Sequence, residues 1–348
     1  MKRFLIYAYC LIFSVSLYSQ GLPNTAFPSL RLIPSARLAS LSDGFATSYE
    51  PRIDLAISNA SLNSPTLHNV AMINYTDYFS AYSCVNAAYA RQFPKIGMFL
   101  ASLQYLNFGS VENYDEFSNY FGPSNRFYDV ILNVGWGRAL VDSVFSIGAN
   151  FKYIFSRGDN FWLSGIAVDV SATYTGFPLL ISDHATMSLA FRNIGTVLKR
   201  DLISDYDKLP FQIDLALYER AKHAPFAYSL IVSNLQKWNL SGVDLNKKTV
   251  AATGDTITPN KVSAFFDNAM RHLIPGVEIF PFRNFAFRLS YNYQRRQELK
   301  TDARPGAVGI SWGVGLKIYK FQIDYARSAW HLAGAPNYIS VSANLNDF

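Results

Sequence analysis

The chain has 348 residues, of which 50% are hydrophobic and 16% aromatic, with a net charge of +6 at pH 7. A mean hydropathy of only +0.06 argues against a bundle of membrane helices, and past the first twenty residues no apolar run is long enough to be one. The cationic excess is mild and forms no basic stripe, so nucleic acid is not an expected partner.

The chain opens with Met1-Lys2-Arg3, an apolar run over 4–17, and then Tyr18-Ser19-Gln20. A basic start, a short apolar core and a small residue before the cut are the pattern of a secretory signal. Residues 1–19 are therefore expected to be removed; a retained anchor is the alternative. Cys10 would leave with them, and Cys84 would be the lone cysteine of the mature chain, which excludes an internal disulfide.

Residues 20–65 hold Pro23, Pro28, Pro34 and Pro51 and show no clean alternation. From 66 to the C-terminus alternation dominates. In 143–155, Phe145, Ile147, Ala149, Phe151, Tyr153 and Phe155 form one file, and Ser146, Gly148, Asn150 and Lys152 the other. Period two is the strand signature, with alternate side chains on opposite faces. The same pattern of apolar file against small polar file predicts fourteen strands: 67–77, 81–93, 97–109, 126–138, 143–155, 162–175, 184–194, 209–220, 225–238, 274–281, 284–296, 306–318, 320–330 and 337–346. Most are long enough to cross a bilayer at barrel tilt. Connections after even-numbered strands are short, and those after odd-numbered strands are mostly long, notably 110–125, 195–208 and 239–273. The fold class expected is all-β: a membrane-spanning outer-membrane barrel of about fourteen antiparallel strands, set in outer-membrane lipid with both termini periplasmic.

So wide a barrel is not filled by small lumen side chains alone. Residues 20–65 are therefore expected to fold inside as a plug. Arg31, Arg37 and Arg52 would pair there with lumen-facing Asp129, Asp169, Asp214 or Asp324, or else face water.

Two external loops carry aromatic clusters. Tyr114, Phe117, Tyr120 and Phe121 lie among Glu112, Asp115 and Glu116. They read either as a partner-binding surface or as packing on the barrel rim. In 239–273, Phe265, Phe266 and Met270 accompany Lys247 and Lys248, a second candidate surface, with His272 expected in a short helix. Gly309-Ile310-Ser311-Trp312-Gly313 matches the serine-hydrolase pattern but sits in mid-strand, whereas that chemistry needs a strand-to-helix elbow. Arg157-Gly158-Asp159 reads as a turn. No histidines are spaced for a shared metal, and no phosphate loop or dinucleotide fingerprint is present. No enzyme activity, cofactor or metal is expected.

Several stretches, in one order, match a known family. They are Pro34-Ser-Ala-Arg-Leu-Ala-Ser-Leu41, Gln104-Tyr-Leu-Asn-Phe-Gly109, Phe191-Arg-Asn-Ile-Gly-Thr196, Leu209-Pro-Phe-Gln-Ile-Asp214, His223-Ala-Pro-Phe226, Asn234-Leu-Gln-Lys-Trp238, Asp267-Asn-Ala-Met-Arg-His272, Gly276-Val-Glu-Ile-Phe-Pro-Phe-Arg-Asn-Phe285 and Tyr291-Asn-Tyr-Gln-Arg-Arg296. With these the chain resembles the PorQ family, barrels of the Bacteroidota type IX secretion system, similar in turn to FadL-like barrels. It departs from the wider pattern in the plug, where Asn59-Ala60-Ser61 stands for Asn-Pro-Ala and Ser42-Asp43 for Gly-Gly. The resemblance implies a non-enzymatic role: anchoring or assembling the surface complex that receives cargo with C-terminal sorting domains. Its implied partners are a PorV-like barrel, the surface sortase and a PorZ-like surface protein. Two other readings are a FadL-like transporter of hydrophobic small molecules and a hydrolase built on Ser311.

Overall fold

The computed structural model describes residues 25–41, 43–78, 82–111, 125–140, 144–158, 162–179, 185–199, 208–241, 249–250, 256–257, 261–300, 306–330 and 334–348. Fourteen antiparallel strands close into a barrel. They are β1 (Val70–Asp77), β2 (Ser83–Phe93), β3 (Gly97–Val111), β4 (Asn125–Ala139), β5 (Phe145–Arg157), β6 (Trp162–Phe177), β7 (Ala185–Lys199), β8 (Gln212–Arg220), β9 (Phe226–Val232), β10 (Leu273–Phe282), β11 (Phe285–Tyr291), β12 (Ile310–Ile318), β13 (Phe321–Ser328) and β14 (Asn337–Asn344). β1 closes the ring on β14, in register from Val70↔Asn344 to Asp77↔Asn337. Residues 249–250 and 256–257 pair separately as a small ribbon.

Alternation explains the wall. On β5 and β6, Phe151, Tyr153, Val168 and Val170 point outward and are exposed, whereas Gly148, Asn150, Ala167 and Asp169 point inward and are buried. The outward file of β11 and β12 shows Leu289, Trp312 and Leu316 in the same way. Monomeric soluble proteins do not expose an apolar belt of this extent; this one faces hydrocarbon. The rings of Tyr105, Tyr128, Phe155 and Trp162 follow one another across β3 to β6 at 5.7–6.4 Å, an interfacial aromatic band. No helix among the described residues is long and apolar enough to cross a membrane.

Connections 94–96, 140–144, 178–184, 221–225, 283–284 and 319–320 join strands at one end of the barrel; those at the other end include all the long ones, although 78–82 and 158–161 are short too. Four expected boundaries shift by four residues or more. β9 stops at Val232 rather than 238. β11 stops at Tyr291, because Asn292 accepts from the Arg295 N–H at 2.8 Å and starts a helix, Tyr293–Leu299. β12 begins at Ile310 rather than 306, since Gly309 takes φ +90°. β7 runs on to Lys199, so the connection expected at 195–208 begins at 200. Its alternation breaks at a bulge: Val170 pairs with Phe191 and Val168 with Ile194, so Arg192 and Asn193 together oppose Asp169 and both turn inward.

Residues 25–41 and 43–69 occupy the lumen. Two one-turn helices, α1 (Ala36–Ser40) and α2 (Ile53–Ala56), and three 3₁₀ turns make up this plug. Helices so short are unstable alone. The wall supplies what α1 lacks: Ser35 caps it from within the chain, the Ala36 N–H donates to Ser340 Oγ at 2.9 Å, and Ser328 and Ser290 donate to the Ala39 and Ser40 carbonyls at 3.1 and 2.6 Å. The small polar lumen file is thus a set of hydrogen-bond partners for plug backbone. Leu38, Leu41, Phe45 and Leu55 are fully buried between them, against Met72, Met98, Leu100 and Ile274 of the wall.

Candidate functional site

The plug is joined to the wall by a ladder of alternating charges. Arg37 on α1 reaches Glu278 of β10 at 3.1 Å. Glu278 also accepts from Arg288 Nε of β11 at 2.9 Å, and Arg288 Nη1 donates to Asp324 of β13 at 2.7 Å. Asp324 meets Arg52 at 2.6 Å, and Arg52 returns to Asp54 at 2.6 Å. Three cations and three anions alternate, and all but Arg52 have side chains no more than 5% exposed. Charges buried at this depth persist only when paired and hydrogen-bonded.

The expected pairs are therefore met in part. Arg52 takes Asp324, as foreseen. Arg37 takes Glu278, which was not among the candidates. Asp169 and Asp214 pair with cations of the wall itself, Lys152 at 2.6 Å and Arg192 at 3.1 Å, rather than with the plug. Asp129 is buried in the lumen with no cation within 4 Å among the described residues. Arg31 makes no ion pair there either; the fields of Asp214 and Glu298 reach it. The bulge completes the Lys152–Asp169 pair, since Asn193 donates its N–H to Asp169 at 2.7 Å and accepts from Lys152 at 3.0 Å.

At the long-loop end, α3 (Lys261–His272) runs directly into β10. Its amphipathicity is inverted. Asn268 and His272 are buried: Asn268 Oδ1 accepts from the Ser241 N–H at 3.1 Å, and the His272 ring nitrogens lie 2.7 and 3.1 Å from the Ser233 and Trp238 carbonyls. Asp267 accepts from Arg271 at 2.7 Å and from the Tyr293 hydroxyl at 2.9 Å. Val262, Phe265, Phe266 and Met270 point away from the protein and are exposed, Phe266 at 62%. Trp238 stacks on His272 and touches Phe265, extending the apolar face. Tyr114, Phe117, Tyr120 and Phe121 lie outside the described residues.

Ser311 is buried on the inner face of β12, and Arg295 Nη1 lies 3.4 Å from its Oγ. It sits within a regular strand rather than at an elbow. The plug separates a cavity of about 520 Å³ at the short-turn end from one of about 270 Å³ at the long-loop end. The second is polar, with Arg31, Asp43, Arg295 and Glu298 in its lining.

No family model and no curated protein matches the chain. Solved structures do. The P. putida toluene transporter TodX aligns with a TM-score of 0.52 at 11% identity, covering 90% of this chain and 99% of that one. A TodX mutant lacking S2 and S3, described as a monoaromatic hydrocarbon channel, aligns at 0.53 and 11% identity, covering 89% and 99%. A P. aeruginosa FadL homologue aligns over 94% of this chain and 100% of its own at 11% identity, with a TM-score of 0.44. At such identities the likeness to the two TodX structures establishes the fold alone, a closed antiparallel barrel of the outer-membrane type.

Proposed function

We propose that this protein is a non-enzymatic outer-membrane component of a type IX secretion system. In this reading it anchors or assembles the surface complex that receives cargo with C-terminal sorting domains. The observation that carries the reading is the lumen. A plug held by a buried charge ladder and capped by wall serines makes a rigid mount, and charged groups stand in the lining of the cavities at its two ends. The ordered motifs by which the chain resembles PorQ-like barrels support placing the mount in that system. The long-loop end is then external, and the outward face of α3, with Phe265, Phe266 and Met270, is the surface offered to a PorV-like barrel, the sortase or a PorZ-like protein. An apolar helix face is a usual binding element for a protein groove.

Deleting the gene in the native host tests the reading. Cargo should leave the surface and collect in the periplasm or unattached in the medium; an unchanged distribution overturns it. Complementation with the Phe265→Glu/Phe266→Glu variant should restore the barrel to the membrane but not the cargo to the surface.

The fold shared with TodX favours a second reading, a transporter of hydrophobic small molecules. Lost uptake of a monoaromatic hydrocarbon in the deletion strain, with cargo undisturbed, would put it first.

A further inference from the structure

The cavity of about 520 Å³ at the short-turn end has a charge pattern that the plug ladder does not use up. Its roof is the ladder, where Arg37, Arg52 and Arg288 are matched by Glu278, Asp324 and Asp54. Its mouth is different. Arg220, Arg283, Lys317 and Lys320 line it, against Glu50 and Asp347. Arg220 meets Glu50 at 3.0 Å, both of them exposed. Lys320 Nζ lies 4.5 Å from the Phe348 ring centre. Arg283 and Lys317 have no carboxylate within 4 Å among the described residues. Lys317 is paired with Gln322 on the inward file of β12, so its stem starts inside the wall rather than on the lipid side.

An excess of one sign of charge in a cleft walled by protein focuses its field and concentrates counter-charge. Its volume is that of a ligand site. The unpaired cations at the mouth suit a polyanion. Position decides the source. Lys317 stands inside the ring of strands, and Arg283 and Lys320 sit on the turns that rim it, 283–284 and 319–320. The phosphate of a bilayer lipid lies outside that ring, with the wall between it and Lys317. A soluble chain approaches along the axis unhindered.

We infer that this cavity is a docking site for an acidic peptide segment of a soluble partner, which enters along the barrel axis from the short-turn side. Its carboxylates take Arg283 and Lys317, and Ser48, Gln322, Ser342 and Asn344 of the lining receive its backbone. If the short-turn end is periplasmic, as the sequence pattern predicts, the partner is a periplasmic protein. The inference stands on the barrel and plug alone, whichever external role is correct.

The test is binding of fluorescein-labelled hexaglutamate to the full chain in neutral detergent, read by anisotropy. Binding should be saturable and should weaken about tenfold or more from low to physiological salt, as screening requires. Arg283→Glu/Lys317→Glu should abolish it and Arg283→Gln/Lys317→Gln should weaken it, with unchanged melting in each. Both side chains are exposed and outside the ladder, so folding should survive. Equal binding by both variants overturns the site. Competition by pyrophosphate at the concentration at which unlabelled hexaglutamate competes overturns the peptide in favour of a small anion. Competition by phosphatidylglycerol micelles without competition by hexaglutamate overturns it in favour of lipid.

Discussion

Replacing Arg288 by Met tests whether the ladder, rather than apolar packing, seats the plug. Arg288 is 2% exposed and is the rung between Glu278 and Asp324, at 2.9 and 2.7 Å. Without it both carboxylates stay buried with one guanidinium each, and one negative charge is uncompensated. Removing one partner from a buried pair costs about 3–5 kcal/mol. That is about a hundredfold to a few thousandfold in the equilibrium between seated and released plug. The strand hydrogen bonds are untouched, so the loss should be local. Hydrogen exchange in detergent reads this directly: the amides of Ala39 and Leu41, bonded within the plug, should exchange at least about a hundredfold faster while those of β3 to β6 keep their rates. Adding Asp324→Asn leaves two intact pairs, Arg37–Glu278 and Arg52–Asp54, and should recover most of the loss. Plug amides as slow as in the parent would refute the reasoning. So would strand amides that accelerate equally, because the ladder would then be holding the barrel and not the plug.

A Cβ on Gly148 would overlap the Ala60 carbonyl and the Ser61 nitrogen, backbone of the plug's second 3₁₀ turn. Gly148→Ala should therefore destabilise by about 1–3 kcal/mol, seen as a lower melting temperature of the folded band on cold gels. Burial and then Asp214 push the Asp43 carboxyl up to about 6, against Arg192 and the Gly44 N–H. Its folded value lies above its unfolded one, so the stability it confers is full below about pH 4 and is lost as pH rises through about 6. Asp43→Asn should be neutral at pH 4 and stabilising at pH 8, by no more than about 3 kcal/mol, in denaturant melts; a gain at pH 4 would reverse the sign. His272→Ala removes the clamp on the Ser233 and Trp238 carbonyls. Exchange of the α3 amides should rise by the equivalent of about 1–2 kcal/mol with the barrel melt unchanged.

The barrel was legible because period two is a local property: a lipid file and a lumen file show in any window of ten residues. The misses arise where local pattern and pairing part. Tyr291 and Tyr293 continue an apparent alternation past the strand, and only Asn292 marks the helix start. Glu278 was passed over because Pro275 and Gly276 blur the inward file of β10, although Ile274, Gly276 and Glu278 do lie on it. Lys152 was read into the lumen file, but its partner needs register. Asn150 pairs with Asp169 and Lys152 with Ala167, so the ion pair runs diagonally between β5 and β6. Register is a relation between strands and is not written in either one alone. The inverted face of α3 was hidden for the same reason: a helix wheel shows two faces but not which one the barrel takes.

The lumen file itself argues for an occupied barrel. Glycine and serine leave gaps on an inner wall unless something fills them, and interiors are close-packed. Here the gaps have the shape of their occupant. Gly137 lies flat beneath Ala60 and Asn63 and Gly148 beneath Ala60 and Ser61, Ser171 accepts the Ser61 N–H at 3.0 Å, and three serines cap a single turn of helix at both its ends. A released plug would strand those backbone groups and open the ladder in the same step, so the apolar, hydrogen-bonded and charged contacts are lost together. Opening is therefore a cooperative event rather than a small hinge motion. A conduit that cycled with every solute would have to repeat that loss each time, whereas a mount never does.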